Sequence, residues 1–162
     1  MKCNASLLYF LQELTFNLVD LISHKEYKDF ALDSLKLADQ SLDQDSKICP
    51  DLLYSRLENV DEKDILTFME LDKETNPLVW SCIANYFALI CYHSYQHSGE
   101  KYLPQTIESV DEETIEAYVS SYQQLLAENN KLLDQILALD LDSSRMILWL
   151  TITLVICFKK SS

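Results

Sequence analysis

The chain has 162 residues, with 26 acidic and 13 basic side chains, one glycine and three prolines. Its net charge of −13 argues against binding to nucleic acid or to an anionic membrane surface, because the phosphates of both attract lysine and arginine. The scarcity of glycine and proline argues against a fold rich in β-turns and predicts long helices joined by short polar loops.

Apolar residues recur at intervals of three and four along most of the chain, which is typical of amphipathic helices. We predict an all-α fold, a single domain over residues 1–162 that forms a bundle of about six or seven helices. The predicted helices span residues 5–23, 26–42, 50–57, 60–71, 77–97 and 111–129, and "KLLDQILAL" continues the last one or starts another. Pro50 and Pro77 suit the first turn of a helix, and Gly99 suits a left-handed helix end.

The segment "MILWLTITLVICF", residues 146–158, carries no charge and is followed by Lys159 and Lys160. As a helix it would be about 20 Å long, shorter than the roughly 30 Å of a bilayer's hydrocarbon. We predict that it is a core helix, because an apolar helix too short to span a bilayer is usually buried. A membrane anchor and a β-strand remain as alternatives.

The cysteines show no disulfide or zinc-binding pattern, which favours a reducing, cytoplasmic location. There are five of them, Cys3, Cys49, Cys82, Cys91 and Cys157. The first residues resemble a signal peptide, but Gln12 and Glu13 interrupt the apolar run and no cleavage site follows. We therefore predict a protein that stays in the cytoplasm.

Two stretches of the sequence are alike, "LENVDEKDILTF" at residues 57–68 and "IESVDEETIEAY" at residues 107–118. Both predict a helix start in which Asp61 or Asp111 caps the free N–H groups of the first turn. In each stretch a valine and an isoleucine are spaced to pack as a hydrophobic staple, Val60 with Ile65 and Val110 with Ile115.

The same offset of about 50 residues places Phe30 over Trp80, Leu37 over Phe87 and Ala38 over Ala88. These matches indicate a degenerate tandem duplication of a helix–loop–helix unit. Chance similarity between helical patterns explains them equally well, and both interpretations stay open.

Catalytic chemistry has little support in the sequence. His93 and His97 have the i, i+4 spacing of metal ligands, but no third ligand stands at a telling position. A chain with one glycine contains neither a phosphate-binding loop nor a nucleophile elbow. We predict a protein that is not an enzyme and has no cofactor or metal, with a metal-dependent hydrolase that uses His93, His97 and a distant carboxylate as a competing hypothesis.

One set of residues lies in the long predicted helix and in the turn that follows it, Trp80, Ala84, Tyr86 and Ala88, and then Gly99, Glu100, Pro104, Ile107 and Val110. Through these residues the segment 76–122 resembles the all-helical immunity proteins of bacterial polymorphic toxin systems, most closely the sixth family of the numbered series. The resemblance implies a small cytoplasmic protein that binds the domain of a cognate secreted toxin and blocks its active site or substrate groove. Many such toxins are nucleases, whose basic clefts would attract an acidic inhibitor.

The predicted contact surface is the acidic helix start of the second similar stretch. It comprises Asp111, Glu112, Glu113 and Glu116, with Tyr118 and Tyr122 at its margin. Tyrosine combined with carboxylates suits a surface that binds a basic protein, here the toxin domain. The alternative for the tyrosines is that they fill the core with the hydroxyl at its edge. The alternative function is an acidic helical adaptor or regulatory protein that binds an unrelated basic partner.

Overall fold

Helices form the regular structure of the chain in the computed structural model, which describes residues 4–43, 45–58 and 60–137. This part of the chain contains eight α-helices, one short 3-10 helix and no strand, so the predicted all-α fold is confirmed. The α-helices are α1 Ala5–Phe16, α2 Lys25–Ser41, α3 Pro50–Leu57, α4 Lys63–Thr75, α5 Pro77–Ser98, α6 Gln105–Glu108, α7 Glu112–Glu128 and α8 Asn130–Leu137.

The centre of the fold is α5, which packs against α1, α2, α3, α4, α6 and α7. Pro77 lies in its first turn, and Gly99 ends it in the left-handed conformation with φ of 74°. Its apolar residues point in several directions because neighbours surround it, and Ile83, Tyr86 and Leu89 are almost completely buried.

The first helix is shorter than predicted. Asn4 caps α1, its side-chain oxygen accepting a hydrogen bond of 2.9 Å from the amide of Leu7. The helix ends at Phe16, and a 3-10 helix, Val19–Leu21, follows. The side-chain amide of Asn76 donates to the carbonyl of Leu21 at 2.8 Å and satisfies the end of this turn. A partner so distant in the sequence could not be anticipated from the local pattern.

Buried polar groups connect the helices of the core. The side-chain amide of Gln12 on α1 donates to the carbonyl of Leu35 on α2 at 2.7 Å, and its oxygen accepts a hydrogen bond from the hydroxyl of Tyr86 on α5. The hydroxyl of Tyr95 on α5 donates to Asp51 on α3 at 2.5 Å. Because unsatisfied buried polar groups are costly, these bonds select one relative placement of the helices.

The outer helix α4 is the least buried of the long helices. Of its residues, all of which the structure describes, only Asp72 is buried, and Asp72 bonds to His24 at 2.9 Å. Leu66 and Leu71 are 38% and 40% exposed. The helix therefore covers one side of α2 and α5 and presents apolar side chains to solvent.

The two similar stretches occupy equivalent places in the order of the helices. Each covers the end of a short helix and the start of a longer one, α3 and α4 in the first stretch and α6 and α7 in the second. The longer helix of each stretch packs against the long helix that precedes the short one, α4 against α2 and α7 against α5. Asp111 is the N-cap of α7, as predicted, but the prediction for Asp61 is wrong, because α4 starts at Lys63 with Glu62 as N-cap. If Asp61 capped α4, its carboxylate would lie close to that of Asp64, and the two negative charges would repel each other. The residue at the same position after Asp111 is the uncharged Thr114. The duplication itself stays a prediction.

Residues 146–158 lie outside the described residues, so their assignment as a core helix stays a prediction, as does the single domain over residues 1–162. Within residues 4–137, apart from positions 44 and 59, no helix has the length and apolar character needed to cross a membrane.

Candidate functional site

The acidic helix start predicted as a contact surface is a well-defined structure. The carboxylate of Asp111 accepts a hydrogen bond from the amide of Thr114, and the hydroxyl of Thr114 accepts one from the amide of Asp111, each at 3.3 Å. This reciprocal capping box fixes the first turn of α7. Glu112 and Glu113 are exposed there, and Glu116 is partly buried one turn later. We call Asp111, Glu112, Glu113 and Glu116 the α7 acidic patch.

The α7 acidic patch presents charge without an apolar centre. Val110 and Ile115, the predicted staple pair, are 9% and 4% exposed and face the core. None of the large exposed apolar side chains found in the described residues belongs to α7. Among the residues that the structure describes, the patch therefore offers long-range attraction for a basic molecule but no hydrophobic surface to bury.

The two tyrosines assigned to the margin of this patch are in the core, so that assignment is wrong. Tyr118 and Tyr122 are both 0% exposed, and their rings stack at a centroid distance of 5.9 Å. The hydroxyl of Tyr118 lies 2.7 Å from that of Thr15, and the hydroxyl of Tyr122 donates to the carbonyl of Leu14 at 3.3 Å. They face inward because α1 covers this side of α7, and burial raises the pKa of both phenols.

A groove of about 1060 Å³ lies on another part of the surface, between α2, the end of α3 and the start of α4. We call it the α2–α4 groove. Exposed carboxylates line both of its sides, Glu26, Asp29 and Asp33 on α2, and Asp61 and Glu62 immediately before α4. The sequence analysis did not identify this groove.

Apolar side chains lie between these carboxylates. Phe30 and Leu37 of α2, together with Val60 and Ile65, line the groove and are only partly buried. The ring of Phe30 stacks on the buried ring of Tyr27 at a centroid distance of 6.4 Å, which anchors it. The spacing of carboxylates and apolar residues along α2 is visible in the sequence, but only the folded chain brings residues 60–65 beside it.

The comparison with known families bears on both surfaces. The family model Immunity protein Imm6 matches residues 6–125. This chain belongs to the Imm6 family of immunity proteins. The match extends well beyond residues 76–122, on which the sequence resemblance rested, and contains both the α7 acidic patch and the α2–α4 groove. Neither a curated protein nor a solved structure matches the chain significantly.

In this Imm6 protein the histidine pair on α5 is a stacked pair of rings. The ring centroids of His93 and His97 lie 5.8 Å apart. Burial, and next the neighbouring His97, lower the pKa of His93. Within the described part of the chain, no group of three or more histidine, cysteine, aspartate or glutamate side chains is arranged to hold a metal ion.

Two of the thiols in this Imm6 protein are core groups. Cys82 and Cys91 are each 0% exposed, and burial raises the pKa of both. The charge of Glu58 raises that of Cys91 further. A buried thiol with a raised pKa is a poor nucleophile, because it is the thiolate that reacts. The geometry therefore does not favour covalent chemistry at these two cysteines, and the two acidic surfaces are the candidate functional sites.

Proposed function

We propose that this Imm6 family member neutralises a cognate secreted toxin by binding its toxin domain, so that the active site or substrate groove is blocked. The match to the family model over residues 6–125 is the observation that carries the proposal. The protein acts in the cytoplasm as an inhibitor and performs no catalysis of its own. A chain with a net charge of −13 suits a basic toxin domain, such as a nuclease whose cleft attracts phosphates.

Electrostatic attraction has a defined part in this proposal. Exposed carboxylates act at long range and raise the rate at which oppositely charged proteins meet, while they add less to the lifetime of the complex. The α7 acidic patch suits this role, because it concentrates four carboxylates at one helix start and lacks an apolar centre. We propose that it steers the toxin domain towards the protein.

Co-expression tests the proposed function. The proposal implies a toxin domain encoded beside the gene of this protein, and this toxin domain is expressed alone and together with it. We expect cells to survive only in the second case, and the two proteins to purify as a stoichiometric complex. Cell death despite a stoichiometric amount of this protein, with no complex formed in vitro, would refute the proposal.

A further inference from the structure

We infer that the α2–α4 groove is the docking surface for the toxin domain, and that a basic amphipathic helix of that domain occupies it. The inference rests on the proposed function and adds the place and the chemistry of contact. It starts from a difference between the two acidic surfaces, since the groove combines carboxylates with partly exposed apolar side chains and the α7 acidic patch does not.

Stable protein interfaces have an apolar centre surrounded by a polar rim. The groove has this arrangement, because Phe30, Leu37 and Ile65 are partly buried whereas the carboxylates beside them are exposed. The stacking of Phe30 on Tyr27 holds one part of the apolar centre in place before a partner arrives. Less side-chain freedom is then lost on binding.

The charge of the groove selects a basic partner. Its described lining residues include five carboxylates and two cations, Lys36 and Arg56. Asp29 is already paired with Lys25 at 2.6 Å, but Asp33, Asp61 and Glu62 have no cation of this chain within salt-bridge distance among the described residues. Lysine or arginine side chains on either side of an apolar stripe would meet carboxylates on both sides of the groove.

The shape of the groove selects a helix. Its sides are formed largely by helices, whose backbone N–H and C=O groups bond within the helix and cannot pair with an added strand. An occupant must therefore bring its own satisfied backbone, as a helix does. The distance from Glu26 to Gln40 along α2 is about 21 Å, which accommodates about four turns of a helix.

A pair of double variants tests the inference. Asp33→Lys with Asp61→Lys reverses one exposed carboxylate on each side of the groove. Asp39→Lys with Asp64→Lys is the matched control, since these exposed residues lie on α2 and α4 outside the groove lining. Each reversal adds two positive charges, so both variants move the net charge from −13 to −9. Circular dichroism and thermal melting confirm that both fold.

The readout is binding to the purified toxin domain of the co-expression test. We expect the groove variant to raise Kd by at least about tenfold, through slower association and also through faster dissociation, because its lysines would face the cations of the bound helix, and the control to change Kd by less than about threefold. Leu37→Gln, which makes the apolar centre polar, should also weaken binding and should do so equally at low and high salt.

Other results would overturn the inference in distinguishable ways. Equal effects of the groove variant and its control would show that net charge alone matters, and the groove would be rejected while the proposed function stands. Unchanged binding by the double groove variant and by Leu37→Gln would also reject the groove and leave the proposed function standing. A wild-type dimer that the groove variant converts to a monomer would identify a second copy as the occupant. Wild-type protein that does not bind the toxin domain would refute the proposed function together with the groove.

Discussion

Asp111 and Asp61 differ in what they contribute to stability, although the residues around them are alike. Asp111 takes part in a reciprocal capping box, and Asp61 is an exposed residue before the start of α4. We expect Asp111→Ala to lower the free energy of unfolding by about 1 kcal/mol, and Asp61→Ala to change it by less than about 0.5 kcal/mol. Denaturant unfolding of both variants measures the difference. Equal losses would mean that Asp61 also caps its helix.

Glu58 gives stability a dependence on pH. It is the C-cap of α3, and burial raises the pKa of its carboxyl from the ordinary 4.5 to about 7. A raised folded-state pKa means that protonation favours the folded state. The contribution of the protonated Glu58 carboxyl to the free energy of unfolding is therefore complete below about pH 4.5 and is lost as the pH rises through 7.

The variant Glu58→Gln removes this dependence. We expect it to stabilise the protein by about 1 to 3 kcal/mol at pH 8 and to have little effect at pH 4, because glutamine resembles the protonated acid. Urea unfolding of variant and wild type at both pH values checks this. Glu74→Gln, at an exposed position of α4, is the control and should be nearly neutral at both. The same effect of Glu58→Gln at pH 4 and pH 8 would contradict the assignment.

Between elements, the contact of α7 with α1 depends on two buried phenols. The hydroxyls of Thr15 and Tyr118 lie 2.7 Å apart and share a hydrogen bond, and both also lie within hydrogen-bond distance of the carbonyl of Leu11, at 2.7 Å and 3.4 Å. We expect Tyr118→Phe to cost about 0.5 to 1.5 kcal/mol of stability and to leave toxin affinity unchanged. Tyr102→Phe, at a residue 88% exposed, should change neither. Unaltered stability with weakened toxin binding would return Tyr118 to the contact surface.

For the whole molecule, the net charge of −13 should make toxin binding sensitive to salt. We expect the triple variant Glu112→Lys, Glu113→Lys and Glu116→Lys to slow association by about tenfold at low salt and to leave the dissociation rate nearly unchanged. The three reversals move the net charge from −13 to −7. Stopped-flow binding at two salt concentrations separates the rates. Faster dissociation with unchanged association would place the toxin directly on the α7 acidic patch.

Much of the fold was predictable because local interactions decide where these helices begin and end. Pro50 and Pro77 start α3 and α5, Gly99 ends α5, and Asp111 caps α7, as predicted. Each of these effects acts within about one turn of the residue that causes it. The family resemblance rested on such packing and turn residues, and the family assignment is correct.

The candidate site was less predictable, because burial depends on which distant segments meet. The i, i+4 spacing of Tyr118 and Tyr122 shows that they share a face of α7, but the positions of α1 and α5 make that face internal. Likewise, the acidic and apolar stripes of α2 become a groove only where residues 60–65 close its other side. The sequence by itself therefore determined the number and approximate places of most helices, the acidic charge and the family. The tertiary structure decided which side chains are exposed, since that depends on contacts between residues far apart in the chain.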